Sequence, residues 1–103
     1  MRTIDDKYTR HIFRQKDGHL PDTPANRKLL EDLANDPLAK IGVDLYGNSW
    51  FAREDVNGNQ IWVQVRGDRV INGGINNPPR LPDPKTGLAA RMPKGRKADE
   101  ESS

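Results

Sequence analysis

A chain of 103 residues has room for one domain with one modest core, and 33% apolar against 31% charged residues means that this core rests on a few well-placed side chains. The 17 basic residues nearly balance the 15 acidic ones, so a net charge of +2 excludes bulk charge as the means of gripping a polyanion; segregation of charge would have to do it. The absence of cysteine removes disulfides, thiol nucleophiles and cysteine metal sites, two histidines make a poor zinc site, and no apolar run approaches a membrane span, so no metal, cofactor or membrane is expected.

Tyr8, Ile12 and Phe13 recur at helical spacing in 5–15, with Asp5 and Asp6 where a helix N-terminus favours negative charge, and Gly18 is placed to end that helix. The second helix has the clearer signals. Thr23 is a capping acceptor, Pro24 occupies the first helical position, Leu29, Leu30 and Leu33 form one apolar stripe, and Asn35 and Pro37 close it.

Beyond Gly42 the period falls to two. A strand, a turn at Tyr46-Gly47-Asn48 and a second strand over 49–54 lead to "VNGNQ", read as an Asn-Gly hairpin. In "QIWVQVRG" the residues Ile61, Val63 and Val65 face one way and Trp62, Gln64 and Arg66 the other, before Gly67-Asp68 turns the chain into a last strand. The expected fold is therefore α+β: two N-terminal helices packed on a three- to four-stranded antiparallel meander sheet, forming a single domain over 1–81. Proline and charge crowd the remainder, so 82–103 is expected to be a flexible, disordered tail, in which Arg91, Lys94, Arg96 and Lys97 are more plausibly solvated than engaged with phosphates.

Both imidazoles, His11 and His19, lie in one basic segment. One neutral and one protonated ring could take a proton from the 2′-hydroxyl of RNA and give one to the leaving oxygen, chemistry that needs no metal. A continuous helix would hold their backbones about 12 Å apart, so the break at Gly18 is needed to fold His19 back. Each ring has a plainer reading, as a surface group or a satisfied core polar group. Arg10, Arg14, Lys16 and Arg27 are the nearby cations that could stabilise phosphate charge, or could simply be solvated helix residues. On the polar strand face, Trp62 offers a ring for base stacking, Gln64 an amide for base edges and Arg66 a phosphate partner, provided that this face is not covered by a helix; Trp50 reads as core. In "INGGINNPPR" the paired glycines allow close backbone approach, which would let Asn72, Asn76 and Arg80 point into a cleft, although a plain turn explains the same letters.

Taken together, "RHIF", "GHLPDTPANRKLL", "YGNSWFA", "QIWVQVR", "INGGIN", "PR" and "PKTGL" resemble the nuclease domains at the C-termini of polymorphic and contact-dependent bacterial toxins and their phage relatives, within the barnase/EndoU/colicin/RelE grouping. The resemblance runs from Tyr8 to Leu88. It implies two N-terminal helices on a four-stranded antiparallel sheet, and a metal-independent endoribonuclease acting on transfer RNA or other cellular RNA. It also implies neutralisation by a cognate immunity protein. The positions it carries over are His11, His19 and Arg80, to which the basic segment adds Arg10 as a phosphate ligand. With no apolar signal segment in "MRTIDDKYTR", the chain is expected to act as a monomer in a bacterial cytoplasm, its own or that of a target cell reached as the C-terminal part of a secreted toxin. The alternative is a non-catalytic RNA- or protein-binding module of phage or mobile-element origin.

Overall fold

Capping fixes where the long helix begins and ends. In the computed structural model, which describes residues 1–89, α2 spans Pro24–Ala34: the Thr23 side chain accepts from the Asn26 N–H at 3.1 Å and Pro24 takes the first helical position, while Asn35 closes the far end. Leu30, Leu33 and Ala34 are buried, whereas Leu29 is 41% exposed and lies at the margin of the stripe expected to include it. Replacing Leu30 with alanine should cost about 2–5 kcal/mol, and Leu29→Ala well under 1 kcal/mol, in urea unfolding of the two variants side by side.

The last turn of α2 also builds a strand that local pattern does not announce. Strand β1, Thr3–Ile4, pairs in parallel with β5, Arg69–Asn76, at Thr3↔Arg69 and Ile4↔Val70. Its other edge is satisfied by side chains, because Arg2 N–H donates to Asn35 Oδ1 at 2.7 Å and Ile4 N–H to Glu31 Oε2 at 2.8 Å. Asn35 Nδ2 returns a bond to the Arg2 carbonyl at 2.8 Å. Instead of a helix over 5–15 there is a 3-10 turn, Asp6–Tyr8, and a single α-turn, α1, Thr9–Ile12, after which Phe13 departs from helical geometry.

Four further strands make the antiparallel part of the sheet: β2, Lys40–Val43, β3, Ser49–Glu54, β4, Gln60–Arg66, and β5. With β1 added, the sheet has five strands in the order β1-β5-β4-β3-β2, one more than the expected maximum. The alternation along β4 sorts its two faces as the pattern predicts. Ile61, Val63 and Val65 join Phe51, Val70, Ile4, Ile12 and the buried residues of α2 in one apolar core.

The two hairpins that bracket β3 share one turn grammar, Asp-x-x-Gly-Asn, at 44–48 and 55–59. In each, the aspartate Oδ1 accepts two backbone N–H groups: Tyr46 at 2.9 Å and Asn48 at 3.0 Å in the first, Asn57 at 2.8 Å and Asn59 at 3.0 Å in the second. Gly47 and Gly58 take φ of +81° and +79°. The hairpin expected at "VNGNQ" joins β3 to β4 with Asn57-Gly58 in its loop, and the aspartate side chain organises each of the two loops.

Residues 82–89 are not a loose tail. β6, Pro82–Asp83, and β7, Gly87–Leu88, form a hairpin in which Asp83 Oδ1 accepts the N–H groups of Lys85 at 2.7 Å and Thr86 at 3.2 Å. Leu45 N–H reaches the Lys85 carbonyl at 3.1 Å and ties this hairpin to the first Asp-x-x-Gly-Asn loop. Gly87 lies so close to Trp50 that an added Cβ would sit 2.0 Å from the indole ring. Arg91, Lys94, Arg96 and Lys97 lie outside the described residues.

Candidate functional site

The end of α1 creates the site. A one-turn helix leaves its last carbonyls without intrahelical partners, and that of Ile12 accepts a hydrogen bond from His19 Nδ1 at 3.0 Å. His19 reaches it because the chain reverses at Gly18, whose φ of +86° lies in the region that favours glycine. The reversal is pinned to the sheet where the Ile75 N–H donates to the Gly18 carbonyl at 3.0 Å. Gly74 makes that approach possible, since a Cβ there would lie 2.0 Å from the Gly18 oxygen. The close backbone approach that the glycine pair of "INGGIN" allows thus occurs at Gly74. Gly74→Ala should push 17–19 off the strand at a cost of about 1–3 kcal/mol, read in thermal melts, and should shift the His19 ring resonances.

The partners of His19 define its protonation. Nδ1 faces a carbonyl and must carry the proton; Nε2 faces the Arg14 Nε–H at 3.2 Å and must accept. A neutral ring with its lone pair on Nε2 is the only form that satisfies both contacts. Burial pushes its pKa down from the ordinary 6.5, opposed by the Ile12 carbonyl, and the positive charges of Arg14 and His11 push it further down, opposed by the Gly73 carbonyl. One edge of the ring meets Trp62 at 6.2 Å between centroids and 69° between planes. In front of it lies a cleft of about 270 Å³ whose lining includes Phe13, Arg14, Lys16 and Asp22.

The other expected site residues divide. Arg14 and Lys16 line this cleft. His11 and Arg10 are exposed on α1, and His11 is close enough for its charge to act on His19 but is not among the residues that line this cleft. Arg27 is held bidentately by Asp22, at 2.6 and 2.9 Å, and covers the Phe13 ring at 5.4 Å; it braces the cleft wall and is not a free phosphate ligand.

The polar face of the sheet is not an open platform. Trp62 is only 9% exposed, stacked on Trp50 at 5.5 Å, while the 82–88 hairpin covers Trp50 and His19 flanks Trp62. Both indoles are packed, so base stacking on Trp62 as expected from the alternation is blocked in this arrangement. Gln64 donates to Asp44 Oδ2 at 3.4 Å, and exposed Arg66 donates through Nε to Asn48 Oδ1 at 3.0 Å. Asn72 is half-buried beside a bulge in β5 opposite Gln64, its Oδ1 accepting the Gly73 N–H at 2.9 Å. Asn76 is buried and donates to Gln60 Oε1 at 2.9 Å; Gln60 also grips the Arg80 backbone at 2.9 and 3.0 Å. Asn76 is thus a structural anchor rather than a substrate contact, and what it anchors is the chain at Arg80.

Asp44 is the residue that sequence reasoning missed. It is 7% exposed and accepts from Trp50 Nε1 at 2.8 Å, Asn48 Nδ2 at 3.3 Å and Gln64, besides the two backbone groups of its loop. Burial alone would raise its pKa, but the bonds from Trp50, Asn48 and Tyr46 outweigh it and hold the carboxyl below the ordinary 3.8. The repeated Asp-x-x-Gly-Asn was the available signal.

Among the described residues, no group of three or more histidine, aspartate and glutamate side chains is placed to hold a metal ion, and no helix is long and apolar enough to cross a membrane. No family model, curated protein or solved structure matches the chain.

Proposed function

We propose that the chain is a metal-independent endoribonuclease in which His19 is the general base. The observation that carries this reading is the fixed tautomer of His19: its Nδ1–H is clamped on the Ile12 carbonyl, which leaves an unprotonated Nε2 beside Arg14 at the cleft. Nε2 takes the proton of a ribose 2′-hydroxyl, O2′ attacks the adjacent phosphorus, and the P–O5′ bond breaks to leave a 2′,3′-cyclic phosphate. Arg14 and Lys16 balance the charge that builds on the phosphoryl oxygens. His11, exposed on α1, is assigned to give the proton to the leaving 5′-oxygen, and Arg10 and Arg80 are assigned to phosphate binding.

The resemblance to toxin nucleases makes transfer RNA the first substrate to try. Purified protein is incubated with total transfer RNA in the presence of a chelator, and products are tested for a cyclic phosphate end. Intact RNA from an amply folded protein would retire the enzymatic reading. The packed Trp50–Trp62 pair favours one alternative, a binding module that holds RNA through its cations alone. Its signature is a gel shift that weakens with salt and is never accompanied by cleavage.

A further inference from the structure

The hydrogen bond that defines the His19 tautomer also blocks it. In the free protein the Nε2 lone pair, the atom that would accept the substrate proton, is already taken by the Arg14 Nε–H at 3.2 Å. We infer that Arg14 is a phosphate-operated gate: it caps His19 Nε2 at rest and moves onto a phosphate group entering the cleft, which frees the base only when a phosphodiester is present. The inference rests on His19 being the base and names how that same site is regulated.

Three features make the exchange favourable. Arg14 is exposed and lies on the loop between α1 and Gly18, outside any helix or strand, so its side chain has room to turn. A neutral imidazole offers one acceptor and no charge, while a phosphate takes two parallel N–H groups of the guanidinium and adds the attraction of opposite charges. Asp22, the carboxylate of the cleft, is held bidentately by Arg27 at 2.6 and 2.9 Å, so its charge toward Arg14 is already balanced. Lys16 supplies a second cation to draw the anion in.

The groups that face His19 make the gate measurable. They are the Ile12 carbonyl and His11 from α1, Arg14 from the loop, Trp62 from β4 and the Gly73 carbonyl from β5, with Lys16 and Asp22 across the cleft. Of these, only Arg14 both places a charge on the ring and occupies its lone pair. Long-range proton–nitrogen NMR of the histidine rings, titrated with inorganic phosphate at constant ionic strength, reads tautomer and protonation midpoint together. The wild type should show His19 protonated on Nδ1 alone, with a midpoint below the ordinary 6.5 that rises by about half a unit or more as phosphate saturates. Arg14→Gln should raise the midpoint without phosphate and lose most of the response, whereas Arg69→Gln, distant on β5, should respond as the wild type does. A midpoint indifferent to phosphate in the wild type, or unmoved by Arg14→Gln, overturns the gate. RNA cleavage plays no part in this readout. A protein that gates but never cuts RNA loses the ribonuclease assignment and keeps the gate, and one that cuts RNA with an indifferent midpoint loses only the gate.

Discussion

His19→Ala is expected to lower the rate of RNA cleavage by about 10²–10⁴-fold, the span that one positioned proton-transfer group typically supplies. The loss should fall on the chemical step, because Arg14 and Lys16 remain to hold phosphate. His19→Asn is the informative companion, since an amide can keep the contact with the Ile12 carbonyl but cannot take up a proton at neutral pH; it should preserve the melting temperature and not the activity. pH gives an independent check. The base works only when neutral and its pKa is lowered by burial and by the neighbouring cations, so the acidic limb of kcat/KM should lie below the ordinary histidine value of 6.5. Stability follows the same sign. The unfolded chain binds a proton more readily than the folded one, so the contribution of His19 is complete above pH 6.5 and is lost as pH falls through the lowered folded value. Activity that persists in His19→Asn at the wild-type rate would remove the imidazole from the mechanism, whatever becomes of the fold.

Why the sheet was legible and the site was not comes down to the range of the interactions involved. The caps of α2 and the alternation of β4 are set by neighbours within one turn or one pleat, and the sequence pattern carries them directly. β1 exists because Glu31 and Asn35, near the end of α2, meet the backbone of 2–4, a contact with no local signature. Trp62 fails as an open platform because the Pro-rich segment after Arg80, whose composition reads as unfolded, carries an aspartate-capped turn at 83–87 that folds it over Trp50. His19 was found by residue type, and its reversal at Gly18 by glycine chemistry. Its two hydrogen-bond partners required coordinates, since nothing in "RHIFRQKDGH" tells that the helix ends at Ile12.

Asp44 carries the second large effect. Asp44→Ala should destabilise the fold by about 2–4 kcal/mol, because it strands the Trp50 Nε1–H and the Asn48 amide in a buried place and releases the half-buried Gln64 amide, and each unmet buried donor costs about 1–3 kcal/mol before relaxation. For a domain of this size that lowers the melting temperature by roughly 10 °C or more. The protein contains its own control. Asp55 heads an identical turn at the other end of β3 with the same backbone and asparagine bonds, but it is exposed and caps no tryptophan, so Asp55→Ala should shift the melt far less. Acid acts on both turns, since the bonds of each loop hold the Asp44 and the Asp55 carboxyl below the ordinary 3.8. The contribution of Asp44 is complete above pH 3.8 and is lost as pH falls through the lowered folded value, and Asp44→Asn should flatten that part of the pH–stability curve. The consequence reaches the candidate site through packing: Asp44 orients Trp50, Trp50 stacks on Trp62, and Trp62 meets the edge of His19. Asp44→Asn, folded at low temperature, should therefore disturb the His19 ring resonances although it touches neither the histidine nor the cleft. Equal melting shifts for the Asp44 and Asp55 alanine variants would show that the turn alone matters, and that the buried hub holds nothing in place.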